Sequence, residues 1–420
     1  MNHKKIIAGT LFGGILEYYD FMVFGLMIVY IKNVFLPEMS SEVGYLLGFL
    51  LFSIGYIGRP IGSVILGIIG ETKGRKSSIL ISICVLTIST VGVGCIPSYE
   101  SIGIISPIIL IILRLLQNMA VSIEQVGCSL YLIETYDLYK YRVTSLVFGS
   151  FYLGAFCGGI VVLYLSYFYN HQTIVAWAWR IPFLISLPFG ILTAWMRLSM
   201  PDSPYYIVKA NTAQKRPWSS FIYKINYTRL IKIVLSFAVL PALSYTSVIY
   251  IPNLLIKTIP NGENLILILS LFSNLFIFSL VLINGYMYDK LICNPKKTIN
   301  TAILMFLIIS YPLQIMLNCG EFIWIILGQL FLLIIVSIIA AGILLQVFNS
   351  KDSDNYYYTN LGFNIAIAIF GGLTPSIVGL LDYNYGYKSA SLYYIAICFI
   401  SYIAINRKLL FKQEKFVIYN

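Results

Sequence analysis

The chain has 420 residues, of which 59% are hydrophobic and only 11% charged, against about 25% charged in an ordinary soluble domain. With a mean hydropathy of +0.85, such a chain cannot cover a water-exposed surface, which excludes a soluble globular protein and points to repeated membrane crossing. The formal net charge of +11 does not indicate nucleic acid, because Lys and Arg are scattered over short loops without the basic–aromatic patch that such binding needs.

The first apolar run, from Ile6 to about Phe35, follows the basic start MNHKK. It carries Glu17 and Asp20 and lacks a small-residue cleavage site, so it is read as a spanning helix rather than a removed signal. Counting apolar runs of spanning length predicts twelve helices, at roughly 7–34, 43–69, 77–97, 102–132, 143–169, 180–198, 231–256, 264–288, 298–318, 321–348, 357–381 and 387–406. The longest polar interval, 199–230, falls between the sixth and the seventh. The expected organisation is an all-α membrane protein of twelve transmembrane helices in two pseudo-symmetric six-helix bundles. These are residues 1–198, a central cytoplasmic loop at 199–230, and residues 231–420 with a short cytoplasmic tail.

Lys and Arg set the orientation. With both termini inside, the cytoplasmic segments hold clusters such as Lys73, Arg75 and Lys76, or Lys290, Lys296 and Lys297, and also Arg197 and the tail's Arg407, Lys408, Lys412 and Lys415. The opposite loops hold only Lys32, Lys257 and Lys388. This is the positive-inside asymmetry. The loop after span 2, GIIGETKGRK (Gly67–Lys76), is echoed after span 8 by GYMYDKLICNPKK (Gly285–Lys297). Both run Gly-x-x-x-acid and end basic, so Asp289 stands where Glu71 stands. Parallel six-helix halves around a central cavity form one of the principal transporter architectures, and the echo selects the major facilitator arrangement.

Five charged residues lie within the spans: Glu17, Asp20, Arg59, Arg114 and Glu124. At about 2.5–3.5 kcal/mol each when solitary and central, their sum exceeds the stability of a typical domain. They must pair with one another or face a wet cavity. Glu17 and Asp20, three apart, share a helix face. On span 4, Arg114, Gln117, Val121 and Glu124 fall within about 80° of arc on an unbroken helix, forming a polar ladder. Pairs such as Glu17–Arg59 or Glu124–Arg114 are expected if the charges serve packing alone. Spans 7–12 offer amides and phenols instead, among them Tyr245, Tyr250, Asn253, Asn274, Gln329, Gln346 and Asn364. The asymmetry suggests ion coupling in the first half and neutral solute contacts in the second. Desolvation raises a carboxyl pKa and a nearby arginine lowers it, so a carboxylate moving between such settings can carry a proton; sodium stays open. The two histidines, His3 and His171, lie outside the spans, and the cysteines occur singly. No cofactor, metal site or enzymatic nucleophile–base set is expected.

LEYYDF (Leu16–Phe21), GRPIGSVILGIIGETKGRK (Gly58–Lys76), RLLQNMAVSIE (Arg114–Glu124), WAWRIPFLISLP (Trp177–Pro188), DSPYY (Asp202–Tyr206) and GFNIAIAIFGGLTPS (Gly362–Ser376) occur in this order. Together they resemble the metabolite:proton symporter family of the major facilitator superfamily, which includes proline/betaine, α-ketoglutarate, citrate and shikimate transporters. The resemblance implies that Glu17, Asp20 and Arg59 mark the polar core. It also implies that Gly67, Glu71, Gly74, Arg75 and Lys76 form a cytoplasmic gate, and that Arg114 and Gln117 link solute and proton sites. Departures from the family pattern are Glu71 for the usual Asp, Tyr18 for Trp, and Asn118, Ser122 and Ile123 in place of glycines.

The expected function is therefore proton-coupled symport of a small organic solute by alternating access. Glu17, Asp20, Glu124 and Arg114 are assigned to coupling, and Tyr18, Arg59, Gln117, Tyr250 and Asn364 to the solute. Gly67, Glu71, Gly74, Arg75, Lys76 and Asp289 are assigned to gating. Tyrosine faces suit the cation of a zwitterion such as proline or betaine, and an arginine suits a carboxylate, so zwitterions and organic acids both remain open. An uncoupled exchanger or facilitator on the same fold, or a non-transporting sensor, are the alternatives. A monomer in the inner (plasma) membrane of a bacterium is expected, with lipid, protons and a small molecule as its only partners.

Overall fold

A computed structural model describes residues 3–36, 41–136, 138–212, 225–258, 263–348 and 355–406. The basic tail, Lys351, and the middle of the 199–230 interval with Lys215, Arg216 and Lys224 lie outside the described residues. Every element among the described residues is helical, as expected where hydrocarbon leaves backbone groups no partner but their own chain.

The long helices are α1 (His3–Phe35), α2 (Ser41–Thr72), α3 (Arg75–Cys95), α4 (Ile105–Thr135), α5 (Lys140–Phe168) and α6 (Ile181–Leu198). They continue with α7 (Tyr227–Tyr250), α8 (Glu263–Asp289), α9 (Pro295–Asn318), α10 (Phe322–Val347), α11 (Tyr356–Asp382) and α12 (Tyr387–Asn406). Eleven helical stretches among the described residues are long and apolar enough to cross a membrane, and α2 is the twelfth long helix. Contacts run mainly within α1–α6 and within α7–α12. The two sets meet where α5 packs on α8 and α2 on α11.

Glycine lets the polar-bearing helices approach closely. A Cβ on Gly154 or Gly158 of α5 would strike the carbonyls of Ile15 and Tyr19 on α1, and one on Gly58 or Gly62 of α2 would strike Leu115 and Met119 on α4. Outward faces carry exposed aliphatics such as Ile88 and Leu380, suited to lipid.

Span 4 is not one straight helix. It runs as Ile105–Val121, breaks over residues 122–125, and resumes as Val126–Thr135. The ladder drawn on an unbroken helix therefore ends at Gln117, and Glu124 sits in the break. Two further irregularities are π turns at Thr246–Tyr250 in α7 and Ile367–Gly371 in α11. Such turns in helices often occur at functional positions.

Candidate functional site

Apart from the contacts of Arg75 at the helix ends, three carboxylate–arginine pairs lie among the described residues of α1–α6. Arg59 donates to Glu17 at 2.9 Å. Arg114 donates to Asp20 Oδ2 at 3.1 Å, and Gln117 donates to Asp20 Oδ1 at 2.7 Å and to Thr90 at 2.9 Å. Arg197 grips Glu124 with both terminal nitrogens, at 2.7 and 2.6 Å, and also donates to the carbonyls of Gly9 at 2.9 Å and Ile79 at 2.6 Å. The Ser82 hydroxyl donates to the same carboxylate. None of the six charged residues is more than 4% exposed. Three anions against three cations leave this interior electrically balanced, which is what makes their burial tolerable.

Two expectations change here. Arg197, expected in a cytoplasmic segment, is buried at the end of α6. Glu124 pairs with it and not with Arg114, which stands ten positions earlier on the same span, about 15 Å away along a helix. Arg114 instead serves Asp20 and stacks over the Phe24 ring at 3.9 Å.

The Glu17–Arg59 pair sits where the halves meet. Tyr56 of α2 donates to the Tyr245 hydroxyl of α7 at 3.0 Å. Phe21 meets Tyr245 edge-on with centroids 6.1 Å apart, and Tyr18 lies 5.4 Å from Phe21 and 4.9 Å from Phe151. Tyr56 stands three residues before Arg59 on α2 and Tyr18 follows Glu17 on α1, so this ring cluster adjoins the ion pair. Of the residues expected to contact solute, Tyr18, Arg59 and Gln117 gather around these ion pairs. Tyr250 belongs to another cluster, its hydroxyl bonded to Asp382. Asn364 donates to the Ser122 carbonyl at 2.6 Å, tying α11 to the break in α4. A small, uncharged cavity nearby is lined by Tyr152, Ser247, Ser273, Asn274 and Gln329 among others.

The helix ends expected on the cytoplasmic side are joined by charge. Arg75 contacts Glu71 at 3.2 Å and Glu134 at 3.2 Å, donates to the Gly70 carbonyl at 2.8 Å, and lies 4.1 Å above the Tyr356 ring of α11. Glu71 accepts the backbone N–H of Tyr357 at 3.4 Å. Gly67 lies against Tyr357 at 3.1 Å from its would-be Cβ. Gly74 takes φ +107°, a conformation open to glycine, where a Cβ would also collide with Asp202. Asp202 accepts from the Arg75 backbone N–H at 2.9 Å, and Lys76 Nζ reaches the Leu198 carbonyl at 2.7 Å. Asp289 accepts from the backbone N–H groups of Tyr141 at 3.1 Å and Arg142 at 2.8 Å. The six residues expected to gate thus occupy two contact zones, each placing an acid at a helix N-terminus, where the helix dipole favours negative charge.

Twelve long helices, a compensated ionic interior and two such contact zones define a membrane transporter of the major facilitator fold. The sequence profile described as sugar (and other) transporter matches residues 6–217, and the chain belongs to that family, one of transporters and not of enzymes. It is 29% identical over 412 residues to a Staphylococcus aureus (strain MSSA476) protein named provisionally as a proline/betaine transporter, covering 96% of this chain and 87% of the relative. It is 28% identical over 398 residues to the Escherichia coli (strain K12) proline/betaine transporter, covering 90% of this chain and 77% of the relative. Among solved structures, the proton:xylose symporter XylE bound to 6-bromo-6-deoxy-D-glucose superposes with a TM-score of 0.76 at 14% identity, covering 96% of this chain and 94% of the other. That likeness is one of fold.

Proposed function

We propose that this transporter is a proton-coupled symporter of a small organic solute, of the proline and betaine kind for which its relatives are named, working by alternating access. The carrying observation is the Asp20–Arg114–Gln117 cluster, a carboxylate fully hydrogen-bonded in the bilayer interior. Protonating Asp20 would discharge the pair and free Arg114, giving the protein two electrostatic states that an arriving proton selects between. Glu124, sealed by Arg197 and Ser82, is assigned to holding α1, α3, α4 and α6 together rather than to proton uptake. Residues 1–198 and 231–420 are the two moving bundles, joined by the 199–230 loop. Glu71, Arg75 and Asp289 hold the cytoplasmic side shut through contacts that separate when that side opens. The Lys and Arg distribution supports both termini in the cytoplasm of a bacterial cell, with the chain in its inner membrane.

The test is uptake of radiolabelled proline and glycine betaine into proteoliposomes under an imposed pH gradient, alkaline inside. The wild type should accumulate solute, and Asp20→Asn should lose accumulation. Counterflow without accumulation in the wild type would identify an uncoupled exchanger instead.

A further inference from the structure

Each member of the Glu17–Arg59 pair has a polar atom left over. The side chains bond through Oε1 and Nη2 at 2.9 Å, yet Glu17 Oε2 and Arg59 Nε are buried without a hydrogen-bond partner. Leaving a buried group unpaired costs on the order of 1–3 kcal/mol, and more when it is charged. Asp20, three residues further along the same face of α1, has both carboxylate oxygens bonded. Both arginines keep an unpartnered Nε, so the two pairs differ at the carboxylate: only the Glu17–Arg59 pair, the less complete of the two, offers a free acceptor beside a free donor.

The walls of the incomplete pair are aromatic and come from both halves. Tyr18 and Phe21 stand on α1, Tyr56 on α2 and Tyr245 on α7, linked by ring contacts and by the Tyr56–Tyr245 hydrogen bond. Aromatic faces attract compact cations, most strongly where water is excluded. The surrounding interior holds as many arginines as carboxylates, so a solute with net negative charge would bring in an uncompensated buried charge at a cost of several kcal/mol.

We infer that Glu17 and Arg59 together form the solute-recognition site, and that the solute is a compact zwitterion without net charge. Its ammonium sits on Glu17 among Tyr18, Phe21 and Tyr245, and its carboxylate sits on Arg59. This rests on the transporter reading above and sharpens it. In an α-amino acid or a betaine a single carbon separates the charged groups, which suits a site whose own charges touch. The ion pair in this structure holds the site closed, and the solute replaces one internal contact with two of its own. Tyr245 makes binding depend on α7, so solute recognition involves both halves. Proton and solute then occupy different carboxylates, Asp20 and Glu17, as cotransport requires.

The test measures equilibrium binding of glycine betaine to the purified full-length protein by calorimetry, with succinate as the dianionic competitor. Tyr245→Ala should weaken betaine binding about tenfold, whereas Tyr245→Phe, which keeps the ring, should stay within about threefold of wild type. Glu17→Gln should abolish binding. Because that change strands Arg59, the double variant Glu17→Gln with Arg59→Gln is measured beside it, after both pass a thermal-melt check, and it should also fail to bind. Wild-type affinity in the double variant, or equal weakening by Tyr245→Phe and Tyr245→Ala, would overturn the site assignment. Competition by succinate as effective as by proline would overturn the zwitterion assignment. A wild type that moves no solute into proteoliposomes would instead sink the transporter reading itself.

Discussion

Asp289, the last residue of α8, holds the backbone N–H of Arg142 at the start of α5 at 2.8 Å. At the other contact zone Glu71, near the end of α2, holds the N–H of Tyr357 at the start of α11. The second helix of each half thus anchors the fifth helix of the opposite half by the same means, a carboxylate on a helix N-terminus. This gives the internal sequence echo a physical content: the repeated acid is the residue that ties the halves together on one side.

Asp289→Ala should release that contact. A cap of this kind is worth about 1 kcal/mol, so amide hydrogen exchange at Tyr141 and Arg142 should speed up about fivefold relative to wild type. Unchanged exchange at those two amides would mean that Asp289 contributes nothing to closure.

Gly74 joins α2 to α3 at φ +107° with Asp202 against its face. Gly74→Ala should destabilise the protein by about 1–3 kcal/mol through backbone strain alone, and by more if Asp202 is pushed off the α3 N-terminus. The midpoint of thermal denaturation reads this directly; a melting point equal to wild type would contradict the assigned strain.

Arg197→Ala leaves Glu124 buried without its cation. Breaking one side of a buried pair costs about 3–5 kcal/mol, and replacing both partners with apolar residues can be neutral. The single variant should melt well below wild type, and Arg197→Met combined with Glu124→Leu should recover most of the loss. If the double variant is as unstable as the single, the ion pair itself, and not only the compensation of a buried charge, holds these helices together.

Helix number and the identity of the ion-pairing acids were legible because hydropathy is a local property and a charge in an apolar run announces itself. The acids Glu71 and Asp289, which bond across the halves, were legible through the repeat. Partner choice was not. Glu124 and Arg197 are 73 positions apart, and Arg197 stands in the last turn of its helix, where a sequence cannot distinguish a buried cation from a loop one. The break after Val121 was hidden because residues 122–125 have no proline and no glycine to mark it. Tyr245 was one of 33 tyrosines, and only its contacts with Tyr56 and Phe21 from the opposite half separate it from the rest. Asp382 lay just beyond a predicted span end, so its bond to Tyr250 could not be foreseen.

The central claim is that solute and proton enter together through the buried carboxylates of α1. A pH-sensitive dye sealed inside proteoliposomes tests it most directly, with glycine betaine added outside and no imposed gradient. The account predicts acidification of the lumen by the wild type and none by Asp20→Asn. Betaine entry into wild-type vesicles without acidification, or acidification by Asp20→Asn equal to wild type, would contradict it.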